Sequence, residues 1–270
     1  MDQGAVAGGG AVIAPERGAD RVRLLTYNIR HCRGTDGRVA PERIAAVIAA
    51  TGADIVALQE VDVGRARTDG LDQADELARL LGMTPHFHPA LHIEEERYGD
   101  AILTRLPSRL RRAGPLPGPL PGLVRRPKLE PRGALWAEIE IGAARLQVLN
   151  THLGLLGAER IAQAESLLGP DWLADPACRA PTVLVGDFNA TGWTRAYRRL
   201  ARHLTDARRV AARIEGRASF PSRFPLLRLD RVFVGAGVTV ERLAVVDGPL
   251  PRRASDHLPV LAEIRLSQSP

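Results

Sequence analysis

Four short apolar runs in this chain each stop at a polar cluster, and this repeated ending constrains the fold more than any other feature. The run at 22–27 ends at Asn28, the run at 55–58 at Gln59 and Glu60, the run at 146–149 at Asn150, Thr151 and His152, and the run at 183–185 at Gly186, Asp187, Phe188 and Asn189. A fifth group lies near the C-terminus, with Asp230 in LDRVF and Ser255, Asp256 and His257 ahead of the last apolar run. Short aliphatic and β-branched runs of this kind read as buried strands. Helical spacing lies between them. Pro41 opens a helix with Ile44, Val47 and Ile48 on one face, closed by Gly52; residues 72–81 form a second, closed by Gly82; residues 157–168 and 193–203 form two more. Residues 134–141 and 144–150 pair as a hairpin about Gly142, 101–104 is a short strand, and late strands fall at 229–234, 238–245 and 260–264. Hairpins mixed irregularly with strand–helix units predict an α/β layered fold with mixed sheets, not a regular barrel. Polar residues at the C-terminal ends of such strands stand where ligand sites form.

A chain of 270 residues suits one large domain or two small ones. Residues 1–19, small and Gly-rich, are expected to form a flexible tail, and 20–268 a single domain. No run of roughly 18 uncharged apolar residues occurs, so no membrane-spanning helix is expected. The N-terminus has no basic start followed by an apolar core, so the expectation is a cytoplasmic protein, and a monomer. Cys32 and Cys178 are the only cysteines; a disulfide scaffold is excluded, a single bridge is open but has nothing to support it, and the expectation is two inert thiols.

Residues 106–131 stand apart, with Pro107, Pro115, Pro117, Pro119, Pro121, Pro127 and Pro131. Proline fixes φ and removes a donor, so neither helix nor central strand is expected, and the segment reads as a long surface loop, part polyproline II. Charge gathers here too. The chain has 37 basic and 31 acidic residues and a single lysine, Lys128. Residues 105–132 hold eight basic residues against one acidic, and 195–217 eight against two, leaving a remainder in which acids outnumber bases. Nucleic acid or an anionic lipid surface would suit these segments, as would a simply solvated arginine face. Aromatic residues make up only 4%, so platforms for base stacking are scarce.

Carboxylates and amides gathered at strand ends suit a hard divalent cation, Mg²⁺ or Mn²⁺, which takes oxygen ligands. Histidines beside them can hold a phosphoryl oxygen or move protons. Singly, each residue would read as a cap or turn; the set argues for a site. The segments TYNIR, ALQEVD, YGDAILTR, NTHL, GDFNA, LDRVFV and ASDHLPV occur in that order. With them the chain resembles the endonuclease/exonuclease/phosphatase superfamily of DNase I-like metal-dependent phosphohydrolases, from about residue 21 to 266, and within it the bacterial metal-dependent hydrolase subgroup. GDFNA with a downstream SDHLPV is the most specific pair.

The resemblance implies a four-layered α/β sandwich, two packed mixed β-sheets flanked by helices. It implies that Glu60 is the principal metal ligand, with Asn28 beside it and Asp256 as a second carboxylate. Asp187 and Asn189 would orient the attacking water and the phosphate. His257 would be the general base or a phosphate contact, Asp230 would orient it, and His152 would donate to the phosphoryl oxygens. Tyr98 matches the tyrosine of the family's YGNA-type motif, and Arg132 is a candidate phosphate clamp. The implied activity is divalent-metal-dependent hydrolysis of phosphate esters, phosphodiesters foremost, by direct attack of an activated water, since no Ser or Cys stands in a nucleophilic triad. The substrate could be nucleic acid, phospholipid or a small molecule. An inactive phosphate- or nucleic-acid-binding module is the alternative, disfavoured because Glu60, Asp187, Asn189, Asp256 and His257 are all present. One residue departs from the family pattern: Asp100 replaces the asparagine of YGNA. It would repel phosphate, bind a second cation, face an arginine, or merely cap a turn after Gly99.

Overall fold

The structure, a computed structural model, describes residue 18 and residues 20–93, 96–118 and 130–267. The expected N-terminal tail, apart from Gly18, and the centre of the Pro/Arg-rich segment, 119–129, lie outside the described residues. In chain order the elements are β1 (Arg21–Asn28), α1 (Pro41–Thr51), β2 (Ile55–Val63), α2 (Gln73–Leu81), β3 (Thr84–Ile93), β4 (Glu96–Thr104), β5 (Ser108–Pro115), β6 (Gly133–Ile141), β7 (Ala144–His152), α3 (Gly157–Leu167), β8 (Thr182–Asp187), α4 (Arg195–Leu200), β9 (Thr205–Asp206), α5 (Ala207–Val210), β10 (Arg213–Glu215), β11 (Asp230–Val234), β12 (Val238–Val245), α6 (Pro249–Ala254) and β13 (Val260–Leu266). Among the described residues no helix is long and apolar enough to cross a membrane.

The strands form two mixed sheets, one of seven in the order β10-β12-β13-β1-β2-β4-β3 and one of six in the order β5-β6-β7-β8-β11-β9. Both faces of each central strand are apolar, so alternate residues enter different cores. Leu24, Ile55, Ala57 and Ile102 of the first sheet meet Leu146, Val148, Val183, Val185 and Val232 of the second in the core between the sheets. Leu25, Tyr27, Val56 and Leu103 face outward onto Ile44, Val47 and Ile48 of α1 and Leu77 of α2. Trp136, Leu149, Leu184 and Phe233 face outward onto Leu167 of α3 and Leu200 of α4. The result is the expected four-layered sandwich. The helix signals also hold: Gly52 and Gly82 take left-handed φ of 60° and 61° just past α1 and α2, where a residue with a side chain would be strained.

The inter-sheet stripe fixes the location of the candidate site. Followed along each strand at every second residue, it runs Leu24, Thr26, Asn28 in β1; Ile55, Ala57, Gln59 in β2; Val148, Asn150, His152 in β7; Val183, Val185, Asp187 in β8; and Val234, Val232, Asp230 in β11. The stripe begins apolar and turns polar at one end in all of them, so a single polar chamber closes the end of the apolar core.

Two expectations about edges need correcting. The Pro/Arg-rich segment is not loop throughout: its first part is β5, paired to β6 from Ser108↔Ile139 to Pro115↔Gly133. β3 was not expected at all. Both strands lie at sheet edges and pair on one side only, the one place where Pro85, Pro89 and Pro115 cost no ladder bond. The short helix α6 was also unexpected, and α4 is shorter than its sequence suggested.

Phe233 is fully buried, edge-on to Phe188 at 5.3 Å and 5.7 Å from Tyr197. Phe233→Ala should lower unfolding free energy by about 3–5 kcal/mol in urea titration. A loss below about 1 kcal/mol would show that this outer layer is not close-packed.

Candidate active site

The backbone delivers the polar groups by small irregularities rather than by regular strand. In β2 the pairing with β4 runs Leu58↔Ala101 and then Val61↔Gly99, so Gln59 and Glu60 oppose Asp100 alone. This bulge carries Glu60 at φ 59°, a conformation a non-glycine residue adopts only under constraint. It turns Gln59 into the inter-sheet core and frees Glu60 to face the chamber. Gly99 is required beside it, because a Cβ there would collide with the carbonyl of His88. After β1, Arg30, His31 and Cys32 follow one another at φ 47°, 43° and 59°, and the Arg30 N–H binds Asn28 Oδ1 at 3.0 Å.

Asp187 is the hub of the chamber. Its Oδ2 receives Asn28 Nδ2 at 3.1 Å and lies 3.5 Å from His152 Nε2 and 3.6 Å from His257 Nε2. Its Oδ1 receives the Asn189 N–H at 2.9 Å. Asn28 Nδ2 also reaches Glu60 Oε1 at 3.0 Å. Burial raises the pKa of Asp187, against the His257 charge and these donated hydrogen bonds. Burial likewise raises Glu60; its Asn28 hydrogen bond opposes this, and the charges of Asp256 and Asp187 add to it.

The two histidines are held in opposite states. His257 Nδ1 pairs with Asp230 Oδ2 at 2.8 Å. Burial disfavours its charge, but Asp230 and Asp187 outweigh burial and lift its pKa to about 10, so the ring is an imidazolium at neutral pH. His152 is the reverse case. Arg132 Nη1 lies 3.0 Å from His152 Nδ1, and a guanidinium can only donate. Nδ1 is therefore the acceptor and Nε2 carries the proton. Burial, reinforced by the Arg132 charge, keeps His152 neutral, its pKa well below the usual histidine range. The 3.1 Å approach of Asn189 Nδ2 to His152 Nε2 then joins two donors and is a contact only, and the Asn189 amide donates instead to Leu153 O at 2.9 Å.

A family model described as the endonuclease/exonuclease/phosphatase family matches residues 25–257. The chain belongs to that family. Among curated proteins it is similar to the uncharacterized protein YbhP of Escherichia coli K12, 34% identical over 143 residues, which is 51% of this chain and 54% of YbhP. The chain thus spans about half the length of the curated relatives it matches. Among solved structures it is similar to a family protein from Bacteroides vulgatus, with TM-score 0.74, 23% identity, and coverage of 92% of this chain and 99% of that one. It is similar also to a mannosyl-6-phosphatase from Bacteroides thetaiotaomicron, with TM-score 0.71, 19% identity, and coverage of 90% and 99%. The human Nocturnin catalytic domain aligns with TM-score 0.64 at 20% identity, covering 92% and 94%. At these identities the solved structures establish the shared DNase I-like fold.

Every residue singled out by the family motifs borders this one chamber. Glu60, Asp256 and Asn189 are its partly exposed members, while Asn28, Asp100, Tyr98, Arg132, His152, Asp187, Asp230 and His257 are buried. Asp256 faces Arg30 Nε at 3.4 Å. Tyr98 is braced from behind, Arg67 lying 5.3 Å over its ring while making two bonds of 2.6 Å to Asp62. Sequence reasoning missed two neighbours. Arg30 fixes the Asn28 amide, and Phe220 packs its ring 4.7 Å from that of His257. Arg30 is in the TYNIR motif, whereas no local pattern marks Phe220.

Asp100 is not a turn cap. It sits inside β4, opposite His88, where the Arg132 charge acts on it. Burial pushes its pKa up to about 8, the Arg132 charge opposing and Glu60 and Asp187 adding to the rise. A folded-state pKa above the unfolded value means that the folded chain binds the extra proton between about pH 4 and pH 8, and stability from this residue falls as pH rises through that window. Asp100→Asn should therefore raise the melting temperature more at pH 8 than at pH 5. Equal shifts at both pH values would mean that Asp100 is already ionised in the folded chain.

Proposed function

We propose that the chain is a divalent-metal-dependent hydrolase of phosphate esters, acting on phosphodiesters by direct attack of water. The observation that carries this reading is the convergence of the Glu60, Asp187 and Asp256 carboxylates around the His257 imidazolium, with His152 against Asp187 and Arg132 behind His152. Like charges held together in a buried place call for a cation. The oxygen donors of Glu60 and Asp256 fit a hard ion such as Mg²⁺ or Mn²⁺ better than a soft one. Asp187, Asp230 and His257 also bring donor atoms within 4.8 Å of one another, and Asp230 Oδ1 has no partner among the described residues, but a cationic His257 has no lone pair to offer a metal, so Glu60 and Asp256 are favoured as ligands. Asn28, whose nitrogen faces both Glu60 and Asp187, would align the two carboxylates. The ion, when bound, would polarise a phosphoryl oxygen and offset its charge.

The remaining steps belong to the protein. Asp187 would accept the proton of the attacking water, with Asn189 holding the carboxylate through its N–H. His152, neutral and protonated at Nε2, would donate to a phosphoryl oxygen as charge builds there. His257, kept cationic by Asp230, would meet a second phosphoryl oxygen; its high pKa favours this contact over a role as base. Arg132 and the Tyr98 hydroxyl lie beside each other in the same wall.

Turnover of bis-p-nitrophenyl phosphate by the folded protein should require Mg²⁺ or Mn²⁺. Glu60→Ala should abolish both metal binding, read by calorimetry, and turnover; full activity in that variant would refute the assignment. Arg132→Gln should release the His152 tautomer, visible as a change in its ¹⁵N ring shifts, and cut kcat by about ten- to a hundredfold. Unchanged ring shifts would show that Arg132 does not set the tautomer.

A further inference from the structure

Single exposed apolar side chains are ordinary on a protein surface; a group of them around a site is not. The most exposed large apolar residues here are Trp193 and Leu226 at 79%, Phe224 at 76% and Leu155 at 58%. All four lie on loops that leave the candidate site. Leu155 follows His152, Trp193 follows Asn189, and Phe224 and Leu226 lie between Phe220, which packs on His257, and Asp230. The loops are tied together at their bases. Asn189 Nδ2 donates to Leu153 O at 2.9 Å. Arg231 Nη2 donates to both Ala190 O at 3.2 Å and Arg228 O at 3.0 Å. The Ser222 N–H binds Asp256 O at 2.7 Å. The bases are therefore fixed to the chamber wall while the apolar tips stay in water.

The charge of these loops has one sign. Residues 190–204 carry four arginines and 216–229 three, with no Asp or Glu in either stretch. Arg195, Arg198, Arg223 and Arg228 are exposed within these two stretches, which also carry Trp193, Phe224 and Leu226. Apolar tips ringed by cations complement an anionic bilayer, where phosphates overlie acyl chains and tryptophan prefers the boundary. Single-stranded nucleic acid would meet the arginines, but Leu155 and Leu226 offer no ring for a base to stack on. A second copy of this face would bring the arginines against themselves.

We propose that this face docks on an anionic phospholipid bilayer, with Trp193, Phe224 and Leu226 entering the acyl boundary and Arg195, Arg198, Arg223 and Arg228 meeting lipid phosphates. The docking turns the mouth of the candidate site toward the lipid headgroups, yet it requires no turnover and stands apart from the hydrolytic reading.

The test is cosedimentation of the full chain with vesicles of phosphatidylglycerol and phosphatidylcholine, against phosphatidylcholine alone. Binding is expected to the anionic vesicles. A blue shift of tryptophan emission should accompany it, reporting Trp193 because Trp136 and Trp172 are buried at 2% and 3% exposure. Replacing Trp193, Phe224 and Leu226 together by serine should weaken binding at least about tenfold while leaving the melting temperature and the turnover of a soluble ester unchanged. Glu60→Ala should bind vesicles as the unaltered chain does, whatever its effect on turnover. Undiminished binding by the triple variant overturns the proposal. So does binding to single-stranded oligonucleotide, with quenching and no blue shift, in a protein that ignores anionic vesicles.

Discussion

One buried side chain, Asn150, ties the two sheets to each other at the edge of the chamber. Its Oδ1 accepts from Gln59 Nε2 at 2.7 Å, and its Nδ2 donates to Leu58 O at 2.8 Å and Ala101 O at 2.9 Å. Apolar contact between sheets is non-directional and would tolerate small slips; a fully satisfied amide buried among three partners would not. These partners adjoin the β2 bulge, where the ladder between β2 and β4 is interrupted. The same irregularity that turns Glu60 toward the chamber is thus covered by an amide from the opposite sheet. His152 lies two residues beyond Asn150 and Glu60 one beyond Gln59, so this tie fixes the spacing between the carboxylate side and the histidine side.

That spacing lets a single carboxylate serve two unlike imidazoles. Asp187 stands within 3.6 Å of both His152 and His257, yet one ring is neutral and the other charged. The difference comes from the nitrogen turned away from Asp187. For His152 it meets a guanidinium and must accept; for His257 it meets a carboxylate and donates. Titratable groups pushed apart by their surroundings mark an acid–base division of labour. Here the division is set by partners one layer behind the hub.

How much of this could be read from the sequence depends on whether a feature is local. The central strands and α1 were legible because alternating or helical apolar spacing is a local signal, and the polar strand ends showed where the stripe changes character. β3 and β5 were hidden by prolines, which a central strand forbids and an edge strand allows; whether a strand is an edge is decided by its neighbours. The positive φ of Glu60 and the burial of Asp100 inside β4 arise from the same non-local pairing. The ring state of His152 depends on Arg132, twenty residues upstream, and the packing of Phe220 on His257 on a loop crossing between sheets.

The same reasoning separates the two arginine-rich segments, which composition left equivalent. On β5, Arg109 pairs with Glu138 at 3.0 Å, Arg112 with Asp171 at 2.7 Å, and Arg111 lies 5.6 Å over the Trp136 ring. Much of that charge is answered within the fold, as expected for an edge strand that must resist pairing with other chains. On α4 and the turn after it, Arg199 reaches Glu165 at 3.0 Å, whereas Arg195, Arg198 and Arg202 make no ion pair among the described residues. Unanswered charge costs little in water but draws counter-ions, and its pull is greatest where an apolar surface beside it also seeks cover. Among the described residues, α4 and the turn after it therefore carry more unanswered charge than β5 does.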